Sequence, residues 1–224
     1  MINRRLVTLL ALLALVLSIP VALSAQDDNV FADGLTNPRN ITFDSEGNLY
    51  VAEAGIAGPQ LTSAADAYGA SSTITRIAPD GSSEAVVNGL ISYRDTNPLG
   101  ASAIQVTDES YWILLAETAD FSIPWTHALV ELDRETGRIK TFVDLLELEL
   151  TEDPDGNPNG ESNGIDFAVA EDGSILIANA GCNCLMSWSA EDGLSVAVVW
   201  DFATDNPVPT AVEIGPDGDV YVGF

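Results

Sequence analysis

Short runs in which apolar and polar residues alternate recur along the chain, separated by segments rich in Gly, Asp, Asn and Pro. An apolar residue at every second position predicts a strand with one buried face, and Gly with Asp between two such runs predicts a tight turn. No long segment has a helical period. The pattern therefore predicts an all-β protein made of short antiparallel strands.

One hairpin motif repeats along the chain. Residues 37–55 (NPRNITFDSEGNLYVAEAG) return as 163–181 (NGIDFAVAEDGSILIANAG) and as 208–224 (VPTAVEIGPDGDVYVGF), and 101–118 is a degraded copy. In the three clear copies an apolar strand leads into an acidic-Gly turn, where Gly accepts the positive φ of a tight hairpin. The sequence thus predicts one supersecondary unit in several copies.

Two further strand-like runs follow each of the copies that begin at residues 37, 101 and 163. Four antiparallel strands per repeat are typical of a β-propeller blade, and blades stack because one sheet alone does not bury both faces. We predict blade 1 at 37–90, blade 2 at 97–150, blade 3 at 161–203, half of blade 4 at 208–224, and an outer, ring-closing strand at 29–35. Since natural rings have about 4 to 8 blades, three and a half blades indicate a fragment truncated at its C-terminus.

The first 25 residues have the order of a secretory signal peptide. Arg4 and Arg5 precede an apolar stretch, Pro20 interrupts it, and small residues offer a cleavage site after Ala25. An uncleaved membrane anchor is the alternative, for which the apolar stretch is short. We predict a secreted or periplasmic protein with no membrane contact after cleavage.

The composition is strongly acidic, with 34 Asp and Glu against 8 Lys and Arg and a formal charge of −26. Such a charge repels nucleic acid, and the chain lacks the basic clusters that bind anionic lipid. A hydrophobic fraction of 46% and a charged fraction of 19% indicate a folded domain with an acidic surface. The expected partner is an unknown protein or small-molecule ligand.

Three segments resemble the ScyD/ScyE family of exported bacterial propellers, which are relatives of NHL-repeat proteins. They are residues 34–55, the Gly/Ala-rich insert 56–77 (IAGPQLTSAADAYGASSTITRI) and residues 207–224 (PVPTAVEIGPDGDVYVGF). The resemblance covers nearly all of the chain after the signal peptide and implies a six-bladed ring. The cysteine pair that family members carry in the first insert has no counterpart here. The resemblance implies an architecture and no assigned reaction.

The propeller is also distantly similar to gluconolactonase and regucalcin, in which carboxylate and Asn oxygens hold an axial divalent metal. That similarity implies axial metal ligands at Asn40, Asn163 and Asp166, with Ca²⁺ or Mg²⁺ as the ion that suits oxygen donors. The glutamate that those enzymes use in the first blade is absent, because residues 36–40 read TNPRN. A metal-dependent lactonase or esterase-like hydrolase is therefore the alternative function.

A second candidate for calcium is the segment 155–166. Asp155, Asn157 and Asn159 alternate before a Gly, and Asp166 occupies the twelfth position, as in a calcium loop. Pro158 interrupts this loop, Asp replaces the usual bidentate Glu, and strands rather than helices flank it. An ordinary Asn/Gly/Pro linker between blades is the competing interpretation.

Cys182 and Cys184 are the two cysteines of the chain. An oxidising compartment favours a disulfide between them, and a pair of free thiols is the alternative. We predict that His127 is half exposed at the start of its strand and that Trp125 packs at the rim, with a place on a binding face as the alternative. The residues that follow the second strand of successive blades, Glu53, Glu117 and Asn179, are expected at solvated strand ends, with a cation-binding rim as the alternative.

Together these observations predict an exported β-propeller fragment that acts as a binding or scaffold module. No motif marks a catalytic residue, and we expect binding rather than catalysis. Ca²⁺ is the one cofactor for which the sequence offers candidate ligands.

Overall fold

Consecutive antiparallel sheets follow one another along the chain. The computed structural model describes residues 30–61, 67–94, 97–157, 160–200 and 206–224. Within these residues, no helix is long and apolar enough to cross a membrane. The predicted signal peptide lies outside them.

The chain divides after Asp33 into an N-terminal unit and a unit that contains all the strands described below. Residues 30–35 carry no strand. The predicted ring-closing strand at 29–35, of which Asn29 lies outside the described residues, therefore stays a prediction.

The sheet of blade 1 contains β1 (Pro38–Phe43), β2 (Leu49–Glu53), β3 (Gln60–Leu61), β4 (Ala67–Ile77), β5 (Ser83–Arg94) and β6 (Pro98–Leu99). Its strand order is β1-β2-β4-β5-β6, with β3 paired to β4. Blade 2 contains β7 (Ala101–Val106), β8 (Ser110–Leu115), β9 (Ala128–Asp133) and β10 (Ile139–Asp144). These four strands pair in sequence order.

Blade 3 contains β11 (Gly164–Val169), β12 (Ile175–Asn179), β13 (Cys184–Ser189) and β14 (Gly193–Val199), also paired in sequence order. The half blade is the hairpin of β15 (Ala211–Ile214) and β16 (Val220–Gly223). The prediction of an all-β protein made of four-stranded propeller blades is confirmed.

The acidic-Gly turns lie where the repeat predicts them. Gly47, Gly173 and Gly218 have φ of 81°, 83° and 84° and join the first two strands of blade 1, blade 3 and the half blade. A side chain at such a φ is strained, which is why each copy of the motif has Gly at this position.

One short helix, α1 (Leu145–Glu152), follows β10 within the predicted blade 2, where the sequence pattern predicts strands alone. Asp144 ends the strand and caps the helix, since its carboxylate accepts from the backbone amides of Leu146 at 3.0 Å and Glu147 at 3.1 Å. Leu145 and Leu148 are buried in the core between blades 2 and 3. An apolar run of this length fits a strand or a helix equally well, so its pattern alone did not decide between them.

Apolar side chains fill the spaces between successive blades. One cluster joins blades 1 and 2 through Tyr50, Ile74, Ile104 and Ile113. A second joins blades 2 and 3, where Trp112 and Trp188 lie with ring centroids 5.3 Å apart. A third, smaller cluster joins blade 3 to the half blade. The blades are thus held together by the stacking of their faces.

The outer hairpin of blade 1 extends beyond residue 90, the predicted end of the blade. β4 and β5 have 11 and 12 residues, against 6 and 5 for β1 and β2. We call the added length, residues 67–71 and 90–94 with β3 and β6, the blade 1 arm. A Cβ on Gly69 would lie 2.6 Å from the Cα of Gly58, so the two backbones touch there. The Gly-rich insert therefore allows the chain to fold back tightly along the arm.

Candidate functional site

The first strands of all four sheets meet around a cavity of about 440 Å³, which we call the axial cavity. Its lining includes Asn40 from blade 1, Ser102 from blade 2, Asn163 and Asp166 from blade 3, and Ala211 from the half blade. The three residues predicted as axial metal ligands, Asn40, Asn163 and Asp166, therefore lie around one cavity.

A β-bulge recurs at the same place in the first strand of blades 1, 2 and 3. The pairing register shifts between Pro38 and Asn40, between Ala101 and Ala103, and between Gly164 and Asp166. A bulge adds an unpaired residue and redirects the side chains beside it. The bulges thus explain why consecutive residues of one strand, such as Ile165 and Asp166, both line the axial cavity.

Asp166 is the single carboxylate among the residues that line the axial cavity. Its oxygens accept from the Asn40 amide at 3.2 Å and from the Val212 backbone amide at 3.1 Å. Burial raises the pKa of this carboxyl, although the backbone amides of Val212 and Phe167 oppose the shift. Arg39 brings a positive charge to the same lining. This electrostatic environment is weakly suited to a divalent cation.

Asn163 has one satisfied and one unsatisfied amide atom. Its Nδ2 donates to Glu117 Oε1 at 2.9 Å, and its Oδ1 is buried with no hydrogen-bond partner among the described residues. A buried acceptor without a partner costs about 1–3 kcal/mol. Asn163 thus lines the axial cavity and carries one buried amide oxygen that no described residue satisfies.

A second cavity, of about 490 Å³, lies between the blade 1 arm and blade 2, and we call it the apolar pocket. None of its lining residues is charged. They are Gln60, Tyr68, Gly69, Ala70, Gly89, Leu90, Ile91, Leu115, Trp125, Val130, Leu132 and Ile139. Its volume is within the range of small-molecule sites, about 300–1,000 Å³.

Trp125 stands at this pocket on a loop between β8 and β9. The residue is 48% exposed, has a positive φ of 65°, and packs edge-to-face against Phe142 with centroids 5.2 Å apart. A half-exposed indole on an apolar cavity has a ring surface available for a ligand. Sequence reasoning singled out Trp125 but not the rest of the pocket, because the blade 1 arm that forms its other wall was not predicted.

His127 is buried, only 2% exposed, and the expectation of a half-exposed histidine is wrong. Its Nδ1 donates to the Ser162 carbonyl at 2.5 Å, and its Nε2 accepts from the Thr118 backbone amide at 3.1 Å. Burial lowers the pKa of this imidazole, although the backbone hydrogen bonds with Ser162 and Thr118 oppose the shift. The ring therefore joins a loop of blade 2 to the loop that leads into blade 3.

The expectation of solvated strand ends is also wrong for Glu53 and Asn179, which are both buried. Glu53 accepts from the Thr36 backbone amide and from the Thr75 hydroxyl. Asn179 Oδ1 accepts from the Asn163 backbone amide at 2.8 Å. At equivalent places in blades 1 and 3, these side chains hold the segment that leads into the first strand.

The calcium loop at 155–166 stays a prediction, because not all of its residues are described. Asp166 lies at the axial cavity, and Asn159 is outside the described residues. Asp155 instead groups with Glu149 and Asp153, whose carboxylate oxygens lie within 4.8 Å of one another. Sequence reasoning counted ligands forward from Asp155 and missed the two acidic residues before it, although their spacing, E-x3-D-x-D, was visible.

Cys182 and Cys184 are joined by a disulfide, and both are buried. Between them, Asn183 has a left-handed φ of 47° and donates from its side chain to Asp155 at 2.9 Å. The disulfide loop of blade 3 is thus hydrogen-bonded to the segment that follows α1.

Comparison with known proteins supports the fold. A family model described as a beta-propeller repeat (SBBP) matches residues 30–52. No curated protein matches the sequence.

Solved structures resemble the chain in fold at low identity. A streptogramin B lyase structure is 12% identical, with a TM-score of 0.50 and 86% of this chain and 50% of that chain covered. A luciferin-regenerating enzyme is 16% identical, with a TM-score of 0.51 and 83% and 53% covered. An extracellular domain from B. thetaiotaomicron is 14% identical, with a TM-score of 0.50 and 83% and 20% covered. The chain thus spans about half, or less, of the length of these structures.

Identities this low show a shared fold and carry no function. The repeat match, the four-stranded blades and the structural neighbours agree, and the described residues 38–223 form consecutive blades of a β-propeller.

Proposed function

We propose that this chain is an exported binding module that takes a small, uncharged, largely apolar ligand into the apolar pocket. The observation that carries the proposal is the half-exposed Trp125 on a cavity of about 490 Å³ with no charged lining residue. Loops and arms on a rigid blade scaffold commonly supply such contacts.

The chemistry of the pocket selects the ligand class. Leu90, Leu132 and Ile139 favour an apolar body, and the indole of Trp125 favours a planar ring or a hydrocarbon face. The Gln60 amide and the Tyr68 hydroxyl offer polar groups for orientation. Because the chain carries a formal charge of −26, an anionic ligand is repelled before contact.

Fluorescence titration with N-phenyl-1-naphthylamine, a neutral apolar probe, tests the proposal. The parent protein should bind the probe with saturation, and Trp125→Ala should weaken binding about tenfold, as expected for loss of an aromatic anchor. Phe121→Ala is the matched control, because Phe121 is a similarly exposed aromatic residue of the same loop and does not line the pocket. Equal binding by the parent and Trp125→Ala would contradict the proposal.

The exported location and the membership in the ScyD/ScyE family are part of the same proposal. The N-terminal charged and apolar segments and the three quoted family segments support them. The structural neighbour described as an extracellular domain is compatible with this location. N-terminal sequencing of the protein recovered from the culture medium or periplasm should begin at Gln26.

A metal-dependent lactonase or esterase-like hydrolase at the axial cavity is the second candidate. It is favoured by the convergence of Asn40, Asn163 and Asp166 and by the free Oδ1 of Asn163. The single carboxylate and the nearby Arg39 weigh against it. Hydrolysis of a δ-lactone in Ca²⁺ or Mg²⁺, abolished by Asp166→Asn, would favour this function, and no hydrolysis above the rate in buffer would remove it.

A further inference from the structure

We propose that Glu149, Asp153 and Asp155 form a Ca²⁺ site, which we call the α1 site, at the C-terminal end of helix α1. The site is distinct from the axial cavity and independent of the ligand proposed for the apolar pocket. One carboxylate oxygen from each residue lies within 4.8 Å of the other two.

The carboxylate oxygens of the α1 site are close enough together to share one calcium ion. Ca²⁺ binds oxygen at about 2.3–2.6 Å, so two ligands on opposite sides of the ion lie up to about 5.2 Å apart. Mg²⁺ binds at about 2.1 Å and requires a tighter octahedron of oxygens. Three carboxylate oxygens this close together can bind one Ca²⁺ ion, which accepts a flexible shell of about 6–8 oxygens, with water or backbone oxygens completing it.

Glu149 gives the second and independent indication. The residue is only 1% exposed, and neither of its carboxylate oxygens has a hydrogen-bond partner among the described residues. An unpaired buried carboxylate is costly, because it loses its hydration and gains nothing in return. A cation held between Glu149 and the two aspartates supplies the missing partner.

Among the described residues, no cationic side chain forms an ion pair with Glu149. The last turn of α1 has no basic residue, and the ion pairs of the described residues involve Glu84, Asp44 and Glu131 instead. The C-terminal end of a helix also carries negative partial charge. All these charges have the same sign, so they attract a divalent cation to this end of the helix.

The fold orients the two aspartates toward Glu149. Asp153 is the helix C-cap, with a left-handed φ of 44° and a backbone amide that donates to the Glu149 carbonyl at 2.9 Å. Asp155 is fixed through both oxygens, by the Asn157 backbone amide at 2.9 Å and by the Asn183 side chain at 2.9 Å. Because Asn183 belongs to the disulfide loop, the α1 site connects the end of blade 2 with blade 3.

Isothermal titration calorimetry and thermal unfolding of the chelator-treated mature chain test this site with Ca²⁺ and Mg²⁺. We expect one Ca²⁺ per chain, a higher Tm with Ca²⁺ than with EGTA, and weaker binding of Mg²⁺. Glu149→Gln should weaken Ca²⁺ binding at least tenfold and remove the rise in Tm. In EGTA its Tm should equal or exceed that of the parent, because the unpaired buried charge is gone.

Glu152→Gln is the matched control, since it removes an exposed carboxylate from the same helix and should leave Ca²⁺ binding unchanged. If Glu149→Gln fails to fold, Asp153→Asn serves instead, because Asn accepts the left-handed C-cap conformation and Asp153 is exposed. Absence of stoichiometric binding by the parent, or parent-like affinity in both Glu149→Gln and Asp153→Asn, would overturn the proposal.

Discussion

The guanidinium of Arg134, which follows the third strand of blade 2, donates to the hydroxyl of Tyr50 in blade 1 over 2.5 Å. The same guanidinium forms an ion pair with the buried Asp44 at 3.2 Å and lies over the rings of Tyr50 and Tyr111. Burial, together with the hydrogen bond to Asp44, raises the pKa of Tyr50 to about 12. This network joins blades 1 and 2 in addition to the apolar contact between them.

Loss of Arg134 should therefore destabilise the protein. Arg134→Met keeps much of the packing and leaves Asp44 without its charged partner, and we expect a loss of about 2 kcal/mol in the free energy of unfolding. Urea unfolding measures this. Arg76→Met is the control, because Arg76 pairs with Glu84 at the surface and should change stability by less than about 1 kcal/mol. Equal effects of the two substitutions would contradict the prediction.

His127 should make stability depend on pH. Burial holds the pKa of the folded imidazole below its ordinary value of about 6.5, so the unfolded chain binds more protons near pH 6. The contribution of His127 is complete above about pH 6.5 and is lost as the pH falls toward the folded pKa. The attraction of Asp144 for the imidazolium opposes the lowering of the His127 pKa only in part. Glu117 and Glu161 are further acidic residues near the ring, and they line the cavity beside it.

The matched measurement compares His127→Gln with the parent at pH 7.5 and pH 5.5. Carboxyl groups titrate in both proteins over this pH range. The informative quantity is therefore the difference in the free energy of unfolding between the parent and His127→Gln. That difference should shrink at pH 5.5. A difference that is constant with pH would mean that His127 acts through packing alone.

Asn183 should act on the α1 site through Asp155. Asn183→Gly keeps the left-handed backbone and removes the side chain that orients Asp155, and we expect Ca²⁺ affinity to fall about tenfold, as for other outer-shell partners of metal sites. Calorimetry checks this. Asn206→Gly is the control, since Asn206 is also left-handed, with a φ of 38°, and is exposed. An unchanged affinity in Asn183→Gly would show that Asp155 needs no support from blade 3.

Gly100 should tolerate no side chain. A Cβ there would lie 2.5 Å from the Ala54 carbonyl oxygen and 2.9 Å from the Ser72 side chain, so Gly100→Ala should cost about 3 kcal/mol through overpacking. Gly81→Ala should cost about 1–2 kcal/mol, because that residue has a φ of 84° but open space around it. Thermal unfolding of both variants shows whether the steric clash at Gly100 or the positive φ at Gly81 costs more stability. A smaller loss for Gly100→Ala than for Gly81→Ala would contradict the prediction.

Features fixed by local sequence were predictable. The Gly in each acidic-Gly turn is required by its positive φ, and alternation placed the strands of the repeat. The apolar run that contains Leu145 was ambiguous because α1 forms through the Asp144 cap and the core between blades 2 and 3, which no local pattern encodes. The blade 1 arm likewise depends on the close approach of Gly58 and Gly69.

A candidate site was predictable only where its residues occupy matching positions in different repeats. Asn40 and Asp166 occupy matching positions of two repeats, and this equivalence brought them to one cavity. The convergence of Glu149 on Asp155 depends on the left-handed turn at Asp153, and the apolar pocket depends on the arm. Both are products of tertiary geometry rather than of a motif.

The recurring bulge in β1, β7 and β11 has a consequence for how such a chain can change. In a regular strand, side chains alternate between the two faces of the blade. A residue at the bulge does not follow this alternation, so its side chain is not required to pack on either face. Substitutions at residues 39, 102 and 165 should therefore alter the lining of the axial cavity while the stacking of the blades stays intact. The scaffold and the chemistry at its centre are in this sense separately adjustable, so one framework can acquire different central ligands by exchanges at a few positions.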